Sequence, residues 1–180
     1  MSEALLVDWQ LKLAFKNQEI IIDPFDENLL NANSYDIRLG DSYGEIKPVS
    51  EDSPIDPLDK STFTTEYFNS SKRVLQPKEF VLASMLEHVI LSPRIFAEIR
   101  GKSSTGRLGI MNSSVAGVID SGWQGQLVME LFNYSNYPIA LTKGLKIGQL
   151  IFHRVEQPTR AYGQRGRYQN QTHEFGSKGV

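Results

Sequence analysis

The densest group of potentially reactive side chains lies in the segment Gly101-Lys102-Ser103-Ser104-Thr105-Gly106-Arg107. It holds two glycines, three hydroxyl groups and two cations within seven residues. Glycine exposes backbone N–H groups, and hydroxyl and cationic side chains donate hydrogen bonds to anions. The composition therefore indicates a turn that could grip a phosphate, with a solvated hairpin turn as the alternative. It is not the P-loop of nucleotide triphosphatases, because Phe96 stands where that motif has its first glycine.

A second candidate is the segment 116–125, in which Asp120 and Trp123 stand among glycines. The carboxylate could accept a hydrogen bond from a sugar hydroxyl while the indole ring packs on the sugar. A β-hairpin that uses the aspartate only as a turn residue is the alternative.

Glu130 is the third candidate, because it interrupts an apolar strand at 126–132. Alternation places Leu127, Met129 and Leu131 on one face of that strand, and Gln126, Val128 and Glu130 on the other. A carboxylate half-buried there would be suited to exchange protons near neutral pH. The alternative is an edge-strand charge that faces water.

A metal site is not indicated. His88, His153 and His173 are scattered, and the chain has no cysteine, which excludes disulfides, thiolate nucleophiles and cysteine-based zinc sites. We expect no zinc.

The elements that must position these residues are mainly strands. The only long helix is expected at 3–16, capped by Ser2, because Leu5, Leu6, Trp9 and Leu13 recur at helical spacing. Short apolar runs bounded by turn residues predict strands at 19–22, 33–39, 80–85, 88–91, 95–99, 109–113, 117–119, 126–133, 139–141 and 147–155. This pattern is typical of an antiparallel sandwich or jelly-roll barrel.

Two polar regions flank or interrupt those strands. Residues 41–78 carry prolines and Ser/Thr/Asp clusters, so we expect long loops there. Residues 156–180 have almost no aliphatic side chains, which predicts a mobile tail or lid. We therefore predict one domain over residues 1–160 and a C-terminal tail over 161–180.

Bulk composition limits the partners. With 180 residues, 40% of them apolar, the chain has the size of a single domain, and a net charge of −2 provides no positive field for a nucleic acid polymer. No stretch approaches the roughly 18 apolar residues of a membrane span. We expect a cytoplasmic protein with no membrane or nucleic acid partner.

Taken in order, these segments resemble the dCTP deaminase/dUTPase superfamily from residue 33 to about 171. N-S-Y-D-I-R-L-G at 33–40 resembles its first motif, G-K-S-S-T-G-R-L-G at 101–109 its phosphate motif, and 116–125 its deoxyribose hairpin. K-G-L-K-I-G-Q-L at 143–150 is similar to the fourth motif, and Tyr162 with R-Y-Q-N-Q at 167–171 resembles the tail that closes over the triphosphate in the deaminase branch.

The resemblance implies a distorted jelly roll that forms a homotrimer, with sites shared between subunits and covered by the tail. Glu130 decides the branch, because dUTPases carry an apolar residue there and deaminases the glutamate that activates water. The resemblance also implies that Glu130, helped by Ser103 and Arg107, deaminates dCTP to dUTP and ammonia without zinc. Asp120 would bind the 3′-hydroxyl and Trp123 would exclude a ribose.

Further contacts to the nucleotide are implied for a larger set: Lys102, Ser103, Ser104, Thr105, Gly106, Val128, Met129, Gln149, Tyr162, Arg167 and Gln171. Mg²⁺ would arrive with the triphosphate, and inhibition by dTTP is left open.

Some positions depart from the dUTP-forming pattern. Lys102 replaces a common arginine, Ser113 stands where many members have histidine, and Val118 where some have arginine. Ala116-Gly117-Val118 is closer to dUTPases and to bifunctional deaminases that release dUMP, and F-G-S-K-G at 175–179 is similar to the dUTPase arm. A bifunctional enzyme, or a plain dUTPase, is therefore the alternative.

Overall fold

The structure, a computed structural model, describes residues 5–112, 116–172 and 175–179. The ends of helix α1 and of the strands fall as follows: α1 Asp8–Lys16, β1 Ile20–Asp23, β2 Tyr35–Pro48, β3 Phe63–Asn69, β4 Lys72–Leu75, β5 Phe80–Leu91, β6 Ile95–Gly101, β7 Ile110–Asn112, β8 Val118–Ile119, β9 Gln124–Asn133, β10 Ile139–Thr142 and β11 Lys146–Arg154. A single helical turn, α2, covers Ser103–Gly106, and short 3-10 helices cover Glu27–Leu29, Lys60–Thr62 and Tyr162–Gln164.

One antiparallel sheet of nine strands carries most of the chain. Its strand path is β7-β9-β5-β2-β11-β6-β8, with β1 added to β5 and β3 added to β2, while β4 and β10 pair separately. The predicted mainly β architecture is therefore confirmed. Long strand β2 lies at its centre and changes partner along its length, from β11 through β5 to β3.

The core lies on one face of this sheet and is closed by α1. Tyr35, Ile37 and Leu39 of β2 are fully buried together with Met129 and Leu131 of β9. Leu11 and Ala14 are the buried side of α1. Complete burial of such side chains stabilises the fold by about 1.5–3 kcal/mol each.

A buried ion pair joins the middle strands. Glu87 of β5 is inaccessible to solvent and accepts hydrogen bonds from the Arg38 Nε atom at 2.7 Å and the Arg38 backbone N–H at 2.9 Å. Burial raises the pKa of Glu87 above its ordinary value, and the bonds from Arg38 oppose that shift.

The helix prediction was wrong at its start. Helix α1 begins at Asp8, whereas Leu5 bridges His153 and the Leu6 N–H donates to the Phe152 carbonyl. The edge of β11 thus holds this part of the chain extended and overrides its helical spacing. The proposed Ser2 cap lies outside the described residues.

The loop prediction for 41–78 was also wrong. Most of this region forms the second half of β2, then β3 and β4, and the β2–β3 hairpin leaves only the stretch 49–59 without a helix or strand. Both faces of the outer hairpin carry exposed polar residues, so the apolar alternation that reveals a strand is weak there.

The runs 80–85 and 88–91 form one strand, β5. Its register against β9 shifts between Ser84 and His88, and this irregularity explains the break in the sequence pattern. Within residues 5–112, 116–172 and 175–179, every helix is too short or too polar to span a membrane.

Candidate active site

A cavity of about 390 Å³ lies on the face of the sheet opposite the core. This volume is within the range of small-molecule sites. Its walls come from the sheet, from the β8–β9 turn and from the C-terminal tail: Ile46, Phe80, Leu82, Ile99, Ala116, Val118, Ile119, Asp120, Trp123, Leu127, Val128, Glu130, Tyr162, Tyr168, Gln171, Phe175 and Ser177.

Glu130 is positioned by the strict alternation of β9. Leu127, Met129 and Leu131 are buried, while Val128 and Glu130 are half-buried on the other face, as predicted. Leu82 of β5 is the cross-strand neighbour of Glu130. Glu130 is half-buried and lines the cavity beside Leu82 and Val128, so it is not a charge on an edge strand that faces open water.

Asp120 and Trp123 are held by a tight turn. The Trp123 N–H donates to the Asp120 carbonyl at 3.1 Å, and Gly122 has a φ of 83°. A positive φ at this position is the signature of a type II turn and requires glycine. The turn leaves Asp120 exposed at the cavity rim and Trp123 only 7% exposed in its wall. It does not close a hairpin, since β8 pairs with β6 and β9 with β5.

The tail crosses the cavity along the edge of β9. The Gln126 N–H donates to the Gln171 carbonyl at 2.8 Å, and the Asn170 N–H donates to the Gln124 carbonyl at 2.9 Å. Gly125, with a φ of 151°, leaves room for this approach, because an added Cβ would lie 3.0 Å from the Gln171 backbone. The tail thus brings Tyr162, Tyr168 and Gln171 to the cavity that Glu130 faces.

A second cavity, of about 610 Å³, adjoins the first and shares Asp120, Tyr162 and Tyr168 with it. Three further residues of its lining are arginines: Arg160, Arg165 and Arg167. The pair of cavities therefore has an apolar, acid-bearing end and a cationic end.

The 101–107 segment lies elsewhere. It lines a third cavity, of about 630 Å³, which shares Ile99 and Val118 with the first. Lys102 is anchored there, because its Nζ atom contacts the Asp36 carboxylate at 2.5 Å and that carboxylate is 5% exposed. Ser103 and Arg107 are exposed and do not line the cavity of Glu130.

The structure therefore divides the predicted site residues into groups. Asp120, Trp123, Val128, Glu130, Tyr162 and Gln171 line one cavity, Arg167 lines the second, and Lys102, Ser103 and Gly106 line the third. Ser104, Thr105, Arg107, Met129 and Gln149 line none of the three.

Three of the residues that line none of the three cavities have side chains held inside the protein. Met129 is fully buried on the core face of β9. The buried Thr105 hydroxyl donates to the Lys102 carbonyl at 3.0 Å, and the Gln149 amide oxygen accepts from Ser34 at 3.2 Å.

Sequence reasoning missed the apolar walls Ile46, Phe80 and Leu82, and the cationic residues Arg160 and Arg165. Tyr168 was indicated only as part of the R-Y-Q-N-Q motif. Phe175 and Ser177 were indicated only by the F-G-S-K-G ending. Ile46 lay in the region predicted to be loops, so no strand pattern pointed to it. Among residues 5–112, 116–172 and 175–179, no three His, Asp or Glu side chains are grouped closely enough to hold a metal ion.

Comparison with known proteins gives concordant results. The family model described as "dCTP deaminase-like" matches residues 5–155. The chain is 37% identical over 171 residues to a "dCTP deaminase, dUMP-forming" of Methanosphaerula palustris, covering 93% of this chain and 91% of that protein. It is 40% identical over 173 residues to the protein of the same name from Tropheryma whipplei strain Twist, covering 93% and 88%.

Among solved structures, 2′-deoxycytidine 5′-triphosphate deaminase from Agrobacterium tumefaciens shares the fold, with a TM-score of 0.66 and 21% identity. The match covers 86% of this chain and 49% of that protein, so the chain spans about half of its length. The family model matches residues 5–155, and the M. palustris relative is 37% identical over 93% of this chain, so the chain belongs to the dCTP deaminase-like family.

Proposed function

We propose that this protein converts dCTP to dUMP in two hydrolytic steps at one site. The observation that carries the proposal is the position of Glu130 in a cavity whose rim holds Asp120 and whose wall contains Trp123. The proposal differs from the dUTP-forming reaction expected above, because the similar proteins of M. palustris and T. whipplei are named dUMP-forming.

The first step is hydrolytic deamination. Glu130 takes a proton from a water molecule as the water oxygen bonds to C4 of cytosine. Glu130 then passes this proton to N3. The new C4 hydroxyl then gives up its proton, which Glu130 passes to the amino group. The C4–N bond breaks as the C4 carbonyl forms, and dUTP and ammonia are released. The position of Glu130 in the lining of the cavity supports this role, because a general base must lie within hydrogen-bond reach of the water that it deprotonates.

The second step is cleavage of dUTP to dUMP and diphosphate. The oxygen of a water molecule bonds to the α-phosphorus, and the bond from that phosphorus to the oxygen bridging to the β-phosphorus breaks. Diphosphate leaves, and the proton of the attacking water passes to solvent. Asp120 lines both the cavity of Glu130 and the cavity with three arginines, which supports a role in orienting water between the base and the phosphates. Mg²⁺ would enter with the triphosphate as part of the substrate.

The complete site needs a second copy of the chain. Ser103 and Arg107 belong to the proposed machinery, yet both are exposed and line no part of the Glu130 cavity. A homotrimer, in which the 101–107 segment of one copy meets the Glu130 cavity of the next, supplies them. The exposed apolar side chains Leu108 and Val118, 62% and 63% accessible, support an interface beside this segment.

Product analysis tests the proposal. The protein is incubated with dCTP and Mg²⁺, and separately with dUTP and Mg²⁺, and ammonia, dUTP, dUMP and diphosphate are quantified. We expect ammonia, dUMP and diphosphate in equal amounts from dCTP, with little free dUTP. Release of dUTP as the final product would restore the single-step reaction. Cleavage of dUTP without ammonia from dCTP would identify a plain dUTPase, and binding without any product a nucleotide-binding protein.

A further inference from the structure

The β2–β3 hairpin projects beside the cavity and meets the C-terminal segment 175–179. Three of its residues, Gly44, Thr65 and Tyr67, form what we call the hairpin face. The strand register places Tyr67 opposite Gly44, Gly44 opposite Leu82, and Leu82 opposite Glu130. Directly paired residues share a face of the sheet, so Tyr67 stands on the same surface as Glu130, roughly 14 Å away across three strand spacings.

Tyr67 makes two contacts with the tail. Its hydroxyl accepts a hydrogen bond from the Gly176 N–H at 2.8 Å, and its ring meets the Phe175 ring edge to face with 5.4 Å between centroids. Phe175 is only 4% exposed as a result, although the surrounding tail is polar. Phe175 therefore anchors the last part of the tail, and the hairpin provides its partner.

Two glycines fit the tail closely to the hairpin. A Cβ at Gly176 would lie 2.3 Å from the Thr65 hydroxyl and 2.8 Å from the Tyr67 hydroxyl. A Cβ at Gly44 would lie 3.2 Å from the Phe175 ring. Side chains at either position would separate the two surfaces.

Residues 178 and 179, at the end of the tail, also form hydrogen bonds with residues 167 and 168 of the same tail. The Lys178 N–H donates to the Tyr168 hydroxyl at 3.2 Å, the Lys178 Nζ atom donates to the Arg167 carbonyl at 2.8 Å, and the Arg167 guanidinium donates to the Gly179 carbonyl. Displacing 175–179 from the hairpin would therefore also release Arg167 and Tyr168, which line the second cavity.

Docking completes the cavity of Glu130. Ile46 of the hairpin, Phe175 and Ser177 of the docked segment, and Tyr168 all line it. We propose that the hairpin face is the docking surface for this segment, and that Tyr67 is a positioning residue that holds the tail over bound nucleotide. The docking stands on the contacts above, while its effect on catalysis rests on the proposed function.

Limited trypsin digestion without nucleotide tests the docking alone. Cleavage after Arg167 and Lys178 is followed by intact-mass spectrometry in the wild type, Tyr67→Phe, Tyr67→Ala and Gly176→Ala. We expect cleavage to accelerate about fivefold in Tyr67→Phe, which loses one hydrogen bond, and about 30-fold in Tyr67→Ala, which also loses the ring contact. Thr64→Ala, on the opposite face of β3, is the matched control and should match the wild type.

Steady-state kinetics with dCTP tests the positioning role. We expect KM to rise in the same order, with kcat changed less than twofold, and Tyr67→Phe to lie between the wild type and Tyr67→Ala. A chain ending at Thr172 sets the limit for complete loss of docking.

The outcomes separate the two proposals. Equal cleavage rates in Tyr67→Ala, Thr64→Ala and the wild type would overturn the docking. Faster cleavage with an unchanged KM would keep the docking and overturn the positioning role. A wild type that does not act on dCTP would overturn the proposed function, while the cleavage rates would still decide the docking.

Discussion

The two halves of the candidate site differ in how complete they are within one chain. The cavity of Glu130 has a floor from the sheet, a rim from the Asp120 turn and a cover from the tail. The 101–107 segment instead holds Ser103 and Arg107 out to solvent, with Lys102 tied to the buried Asp36. Groups proposed to act on one nucleotide thus lie in separate places.

This difference indicates which parts of the reaction one chain can prepare alone. A general base needs surroundings of controlled polarity, and β9 with its paired neighbours supplies them without help. Exposed hydroxyl and guanidinium groups are solvated and gain most when a second surface excludes the water around them. We therefore expect one chain to form the Glu130 cavity by itself, whereas the 101–107 segment becomes functional only when the chains assemble.

Substitution of the base is expected to have the largest effect. Glu130→Gln keeps the shape of the side chain but cannot accept the proton, so ammonia release from dCTP should fall by about 10²–10⁴-fold. The rate is measured with a coupled ammonia assay under saturating dCTP. Gln126→Glu on the same face of β9 is the control for a change of charge, and Glu130→Gln turnover equal to the wild type would remove Glu130 from the mechanism.

Mixing two inactive variants tests whether Ser103 and Glu130 of different chains form one site. Ser103→Ala and Glu130→Gln chains carrying different tags are produced together, and doubly tagged assemblies are isolated. In a shared-site trimer about three quarters of random assemblies are mixed and each has one intact site, so the unfractionated sample should show about one quarter of wild-type activity. Each variant alone is the baseline. Absence of recovery in assemblies that carry both tags would mean that Ser103 and Glu130 of one chain act together.

The smallest effect concerns the anchor of the 101–107 segment. Asp36→Asn leaves the partly buried Lys102 without its charged partner and should lower the free energy of unfolding by about 2 kcal/mol. Asp41→Asn is the matched control, because its pair with Lys143 is 43% exposed on each side and should contribute less than about 1 kcal/mol. Urea unfolding measures both, and equal losses would show that the segment is not fixed through Asp36.

Much of the base side could be predicted from the sequence. The alternation along 126–132 correctly placed Glu130 opposite the core, and the Asp-Ser-Gly-Trp sequence at 120–123 indicated the turn. Both are local signals, because a strand's faces and a turn's φ angles depend on neighbouring residues.

The outer hairpin and the start of α1 could not be predicted in this way. Tyr67 packs against Phe175, which lies far along the chain. Leu5 is held extended by its bridge to His153 of β11. The separation of Ser103 from Glu130 is likewise a property of the folded sheet. These are long-range contacts, which local periodicity does not contain.

Strand β2 places one constraint on how this chain can diverge. Asp36 near its start anchors Lys102, and Gly44 towards its end faces Phe175. Since side chains alternate along a strand, inserting or deleting one residue between them would turn one of these positions to the wrong face and shift it by about 3.3 Å. Insertions and deletions should therefore be tolerated at the hairpin tip around 49–59. Between residues 36 and 44 of β2 they should be selected against.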